Sequence, residues 1–139
     1  MTIETTTTTP LALRRARLAL AMGKWRTAAG LLRAAAAAEP PFPEALALYG
    51  YCLAHLGDDL EQARDACARA VAMEPHVAQH HACLATVYRR LGLERLAMAS
   101  FDAALRLDPA QEIAARECNG PNSASWLMRV RTRLHRLHD

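Results

Sequence analysis

The chain has 139 residues, 52% of them hydrophobic and only 5% aromatic, with a formal net charge of +3. That length suits one domain, no stretch approaches the roughly 18 uncharged apolar residues that span a bilayer, and a composition led by alanine and leucine favours close-packed helices over sheets. Residues 1–40 carry six basic and two acidic side chains, 41–120 carry seven and eleven, and 121–139 carry four and one, so the ends are basic and the middle is acidic.

In chain order, Thr5–Thr9 is a threonine run ending at Pro10, without the alternating apolar partners of a strand. Residues 1–10 are therefore expected to be a disordered tail. Arg14, Arg15 and Arg17 follow, and the apolar run after them is interrupted by Lys24 and Arg26, too short and too charged for the core of an export signal. A first helix is predicted over Leu11 to Met22, then a turn at Gly23. A second carries Ala28, Leu32 and Ala35 on one face and ends at Glu39-Pro40. The third steps through Leu46, Tyr49, Leu53 and Leu56 to Gly57, with Asp58-Asp59 lengthening the turn, and the fourth carries Ala63, Cys67 and Ala70 to Glu74-Pro75. The fifth steps through Leu84, Val87 and Leu91 to Gly92, and the sixth carries Ala97, Phe101 and Ala104 to Asp108-Pro109. Steps of three and four residues put each set on one helical face.

This is an internal repeat. The closing prolines are 35 and 34 residues apart, and each turn glycine lies 17 or 18 residues before its proline. The small, large, small order of every second helix lets backbones approach at the alanines while the larger residue fills the gap between helices. Residues 110–118 have the length of a short helix, and Asn119-Gly120-Pro121-Asn122 breaks the chain. From Ser125, the residues Leu127, Val130, Leu134 and Leu137, with Trp126 beside them, predict an amphipathic helix to about His138. It is read as the cap that covers the apolar face an array would otherwise end on.

On these residues the sequence resembles the tetratricopeptide repeat (TPR) family. Unit three carries the resemblance most fully, with Leu84, Ala85, Tyr88, Gly92, Ala97, Phe101, Ala104 and Leu107-Asp108-Pro109. Unit two has Tyr49, Gly50, Leu53, Gly57, Ala63, Ala70 and Pro75, with Cys67 for the usual aromatic. Unit one keeps Gly23, Trp25, Ala28, Ala35 and Pro40, with Arg15 where a core leucine is expected. The resemblance implies an all-α fold, a right-handed superhelical array of three helix-turn-helix repeats (11–42, 43–75 and 76–109) plus a C-terminal region, 110–139, ending in the capping helix.

It also implies a concave groove, lined by the first helix of each unit, that binds a peptide or helix of another protein. Carried over by spacing, the groove positions are Leu13, Arg17 and Leu20; Glu44, Ala47, Tyr51 and His55; and Gln79, Ala82, Thr86, Arg89 and Arg90. Tyr51 offers an apolar face with a hydroxyl, and Arg17, Arg89 and Arg90 offer charge-assisted bonds to carboxylates. The clamp of lysines, asparagines and arginine with which some members hold a chaperone's terminal carboxylate is missing, since Leu13 and Tyr51 stand at two of its positions.

Other candidates are weaker. His76, His80, His81 and Cys83 are the densest group of metal-ligand types, yet a closed site needs four converging ligands, and His81 is expected to face the packing side with His76 in a loop; no metal and no cofactor are assigned. Cys52, Cys67, Cys83 and Cys118 form no C-x-x-C pair and read as buried small hydrophobes in a reducing, cytoplasmic setting. Arg129, Arg131, Arg133 and Arg136 flank the last apolar stripe, but without interleaved aromatics they suit a cap better than a nucleic-acid surface. No phosphate loop, nucleophile elbow or H-E-x-x-H motif is present, so no catalytic role is assigned. The expected function is a protein-interaction scaffold, adaptor or chaperone-like; the alternatives are a self-assembling homo-oligomer, a bacterial secretion chaperone or, last, nucleic-acid binding.

Overall fold

A computed structural model describes residues 2–119, with the side chains of 10–118. Its regular structure is helical: α1 (Thr2–Ala21), α2 (Trp25–Ala37), α3 (Pro43–Leu56), α4 (Leu60–Met73), α5 (Ala78–Arg90), α6 (Glu94–Leu107) and α7 (Glu112–Asn119). The first six pair as three hairpins. Each hairpin then packs its first helix on the second helix of the one before, and α3 and α5 also pack on each other.

The three turns close in the same way. Gly23, Gly57 and Gly92 have φ of 71°, 70° and 79°, the left-handed region a side chain enters only with strain. The next residue donates its N–H to the carbonyl five residues back: Lys24 to Ala19 (2.8 Å), Asp58 to Leu53 (3.1 Å) and Leu93 to Tyr88 (2.9 Å). This bond satisfies a carbonyl that a helix end would otherwise leave open. The extra residue of the second turn, Asp59, has φ of 38°, and its carboxylate accepts the Gln62 N–H at 3.1 Å, capping α4.

The core follows the alanine pattern. Ala28, Leu32 and Ala35, then Ala63, Cys67 and Ala70, then Ala97, Phe101 and Ala104 are all buried. Helix α3 is central, with every residue from Ala45 to Ala54 buried. At Gly50 α3 comes close to α4: a Cβ there would lie 2.4 Å from Cys67 Sγ and 2.7 Å from the Ala63 carbonyl oxygen.

Three expectations need correction. Residues 2–10 are not an irregular tail but continue α1, with Pro10 inside it. Extending a helix already formed costs each threonine only its own propensity, roughly 0.5 kcal/mol, although Pro10 has no N–H for the carbonyl four residues earlier. Arg15 does not occupy a core position, because the buried face of α1 runs through Ala16, Ala19 and Leu20; Arg15 shares the outward face with Leu11, Leu18 and Met22. In α5 it is His80 that is buried, at 1% exposure, while His81 is half-buried. His80 stands four and seven residues before Leu84 and Val87, so it shares their inward face. The predicted terminal helix, with Trp126, Leu127, Val130, Leu134 and Leu137, lies outside the described residues.

Candidate functional site

The first helices α1, α3 and α5 line one side of the array, and α7 packs there on α5, touching α6 as well, with a pocket left between it and α1 and α3. Ile113, Ala114 and Cys118 are buried against the array, while Glu112 and Arg116 are exposed at the rim of the pocket between α7 and α1. Glu117, one turn beyond Ile113, reaches across α5 to α3. Its Oε1 accepts from the Tyr51 hydroxyl at 3.2 Å and meets His55 Nε2 at 3.1 Å. Arg89 lies 3.4 Å from Oε2 and donates to the Glu117 backbone carbonyl at 3.1 Å. One carboxylate is thus held by side chains from two units.

The side chains that meet this carboxylate are braced by aromatic rings. Trp25, the first residue of α2, stacks on the His55 ring at 3.8 Å with an interplanar angle of 1°. Tyr51 packs edge-on to both rings, at 5.6 Å from Trp25 and 4.6 Å from His55, geometries that aromatic quadrupoles favour. Burial pushes the Glu117 carboxyl up, but the hydrogen bond and charge of His55, the Arg89 charge and the Tyr51 hydroxyl pull it further down, leaving it below its ordinary value. The Tyr51 phenol goes the other way, raised by burial and then by the charge of Glu117.

The remaining groove positions divide by depth. Leu20, Ala47, Ala82 and Thr86 are buried, Thr86 donating to the Ala82 carbonyl at 3.0 Å, so they support the groove floor and present no free surface. Tyr51 is itself 1% exposed, with its ring enclosed and its hydroxyl spent on Glu117. Leu13 is half-buried against the core. Arg17 is exposed and binds Glu44, joining α1 to α3. Gln79 lines a remaining pocket of about 100 Å³ with Arg17, Leu48, Ile113 and Arg116; its side-chain nitrogen is buried with no acceptor among the described residues. Arg90 is exposed and is not brought to the carboxylate.

Sequence reasoning missed Glu117 and Trp25 as members of this site. Glu117 is 66 residues from Tyr51, and no local period records such a contact. The one available signal was that Ile113 and Glu117 share a face of the short helix after Pro109.

The histidines of α5 have other partners. His80 Nε2 meets Glu74 at 2.9 Å and His81 Nε2 meets the Pro75 carbonyl at 2.7 Å, so neither is aimed at a shared centre, and no metal-competent group of three or more ligands occurs among the described residues. The four thiols are buried and unpaired, and burial pushes Cys52 up to about 12. Away from the groove, a cleft of about 550 Å³ lies between α2 and α4, lined by small alanines and by Arg33, Asp65 and Arg69 of both charge signs. No described helix is long and apolar enough to cross a membrane.

Comparison with known proteins agrees with this architecture. The Arabidopsis OM64 TPR domain superposes with a TM-score of 0.68 at 16% identity, over 91% of this chain and 97% of that one. The Sgt2 TPR domain from Aspergillus fumigatus gives 0.68 at 13% identity, covering 94% and 81%. The second TPR domain of human RPAP3, in complex with the HSP70 peptide SGPTIEEVD, gives 0.64 at 19% identity, covering 82% and 94%. No curated protein matches the sequence. The tetratricopeptide repeat model matches residues 13–76 and 58–112, most of the chain and the three hairpins described above, and the chain therefore belongs to the tetratricopeptide repeat family.

Proposed function

We propose that the protein is a non-catalytic interaction scaffold whose concave face captures a short segment of a partner protein. The observation that carries this reading is the convergence of Tyr51, His55 and Arg89, from two different units, on one carboxylate of a polypeptide segment lying in the groove. A surface that holds one short helix by a charge-assisted contact and a small apolar stripe has the chemistry to hold another. The RPAP3 domain in its peptide complex gives a precedent for the fold. Capture in the groove is the role of an adaptor or chaperone-like module in a soluble compartment.

The test is site-specific photocrosslinking. A photoreactive residue replacing Arg17 or Gln79, on the concave side, is expected to form adducts with a partner that are absent from the same probe at Arg64 or Ala99, on second helices. Adducts confined to the second helices would refute the reading.

Self-association is a second reading, favoured by the outer face of α1 and the turn after it, where Leu11, Leu18 and Met22 are 44%, 62% and 68% exposed around Arg15. Such a stripe at the edge of an array is where another copy would stack. Sedimentation of the wild type against Leu18→Glu separates the two: a larger species that dissociates in the variant supports assembly, and identical monomers exclude it.

A further inference from the structure

Helix α7 tells what the groove accepts. It has eight residues, too few for a stable helix in isolation, so its helical form depends on the surface beneath it. That surface gives it a narrow apolar contact, through Ile113, Ala114 and Cys118, and one polar anchor, Glu117. The anchor is built on the receptor side: Trp25 fixes the His55 ring, Tyr51 is enclosed, and Arg89 binds both the side chain and the backbone carbonyl near the C-terminal end of α7. A cation at that end is also favoured by the helix dipole. Beside the anchor, the Gln79 amide nitrogen lacks an acceptor among the described residues and lines the space between α7 and α1. α7 therefore satisfies the carboxylate receptor and leaves the adjoining donor unused.

We propose that Tyr51, His55 and Arg89 form a receptor for one side-chain carboxylate on an amphipathic helix, that α7 fills it as a built-in occupant through Glu117, and that the partner is a longer helix of the same chemistry which displaces α7. This rests on the concave face being the partner-binding surface. The partner's helix presents a glutamate or aspartate to the receptor, small and medium apolar residues three and four positions before it, and a carbonyl or acidic group to Gln79. Binding is then a competition, and the affinity seen by the partner is lowered by the fraction of molecules in which α7 is seated.

The experiment uses the full chain, wild type and Glu117→Gln, a nearly isosteric change that keeps the fold. The probe is a synthetic peptide of residues 108–119, under reductant, with either Glu117 or Glu117→Gln in the peptide, and binding is read from the assigned ring resonances of Trp25 and His55. Amide exchange across residues 115–118 is expected to speed up at least tenfold in the Glu117→Gln chain while that of α3 is unchanged. The Glu117 peptide is expected to bind that chain at least tenfold more tightly than its Gln counterpart does, and at least tenfold more tightly than it binds wild type. Equal affinity of the two peptides overturns the carboxylate receptor, and equal affinity for the two chains overturns α7 as the competing occupant. Crosslinks from Gln79 to a partner without discrimination between the peptides would keep the groove reading and discard this one. Discrimination with crosslinks only from second helices would reduce α7 to a permanent cap and also overturn it.

Discussion

Replacing Gly50 with alanine tests the packing of α3 on α4 at a close approach of the two helices. The added Cβ would meet Cys67 Sγ at 2.4 Å and the Ala63 carbonyl oxygen at 2.7 Å. The thiol can rotate, at the expense of its bond to the Ala47 carbonyl at 3.4 Å, but the carbonyl is part of the α4 backbone and yields only if the two helices separate. Overpacking of this kind costs roughly 1–3 kcal/mol, and more where backbone must move. Alanine recovers roughly 1 kcal/mol through its better helix propensity. With the clash at the upper end, the net loss is about 2 kcal/mol. In urea unfolding followed by circular dichroism, where a small domain has a slope of about 1–3 kcal/mol per molar, the midpoint should fall by roughly 1 M. Adding Cys67→Ala to Gly50→Ala should restore only part of the loss, because the carbonyl contact persists. A midpoint for Gly50→Ala equal to or above wild type would refute the account.

Gly57 offers the opposite case, with open space around the site but φ of 70°; Gly57→Ala should cost about 1–2 kcal/mol of thermal stability through left-handed strain alone, and Gly57→Asn less. The Glu117 carboxyl, titrated by NMR, should have its midpoint below 4.5, and His55→Ala should move it back toward that value. Because this folded-state pKa is lowered, the contribution of Glu117 to α7 docking is fully present above pH 4.5 and is lost as pH falls through the lowered value. The groups facing it there are Tyr51, His55 and Arg89. Burial holds the thiols of Cys52, Cys67 and Cys83 in the protonated form, so at neutral pH their alkylation in the folded chain should be slower than in denaturant by roughly a hundredfold or more, following transient opening.

Much of the fold was legible because its determinants are local and recur. A glycine needed for positive φ, a proline closing each unit, and alanines at fixed offsets from one large residue each report on the few residues around them, and the periodicity repeats that report three times. The candidate site is legible only where it depends on the same local rules. Spacing placed Tyr51, His55 and Arg89 on first helices, but it gave no measure of depth. Tyr51 and Thr86 prove to be enclosed, and Arg90 is exposed although it adjoins Arg89. His80 and His81 show how fine the margin is, since neighbouring residues lie about 100° apart on a helix and a one-residue error exchanges inside for outside. The docking of α7 is a matter of tertiary energetics: an eight-residue helix has no preferred place until the groove supplies one.

In most solenoids mechanical information passes only from a unit to its immediate neighbour. The Trp25–His55 stack, with Glu117 meeting the same imidazole at Nε2, ties the start of the second helix to the last described one. Release of α7 at one end breaks the Glu117 contact, and parting of the first two hairpins at the other breaks the stack, so the indole of Trp25 is placed to signal both events.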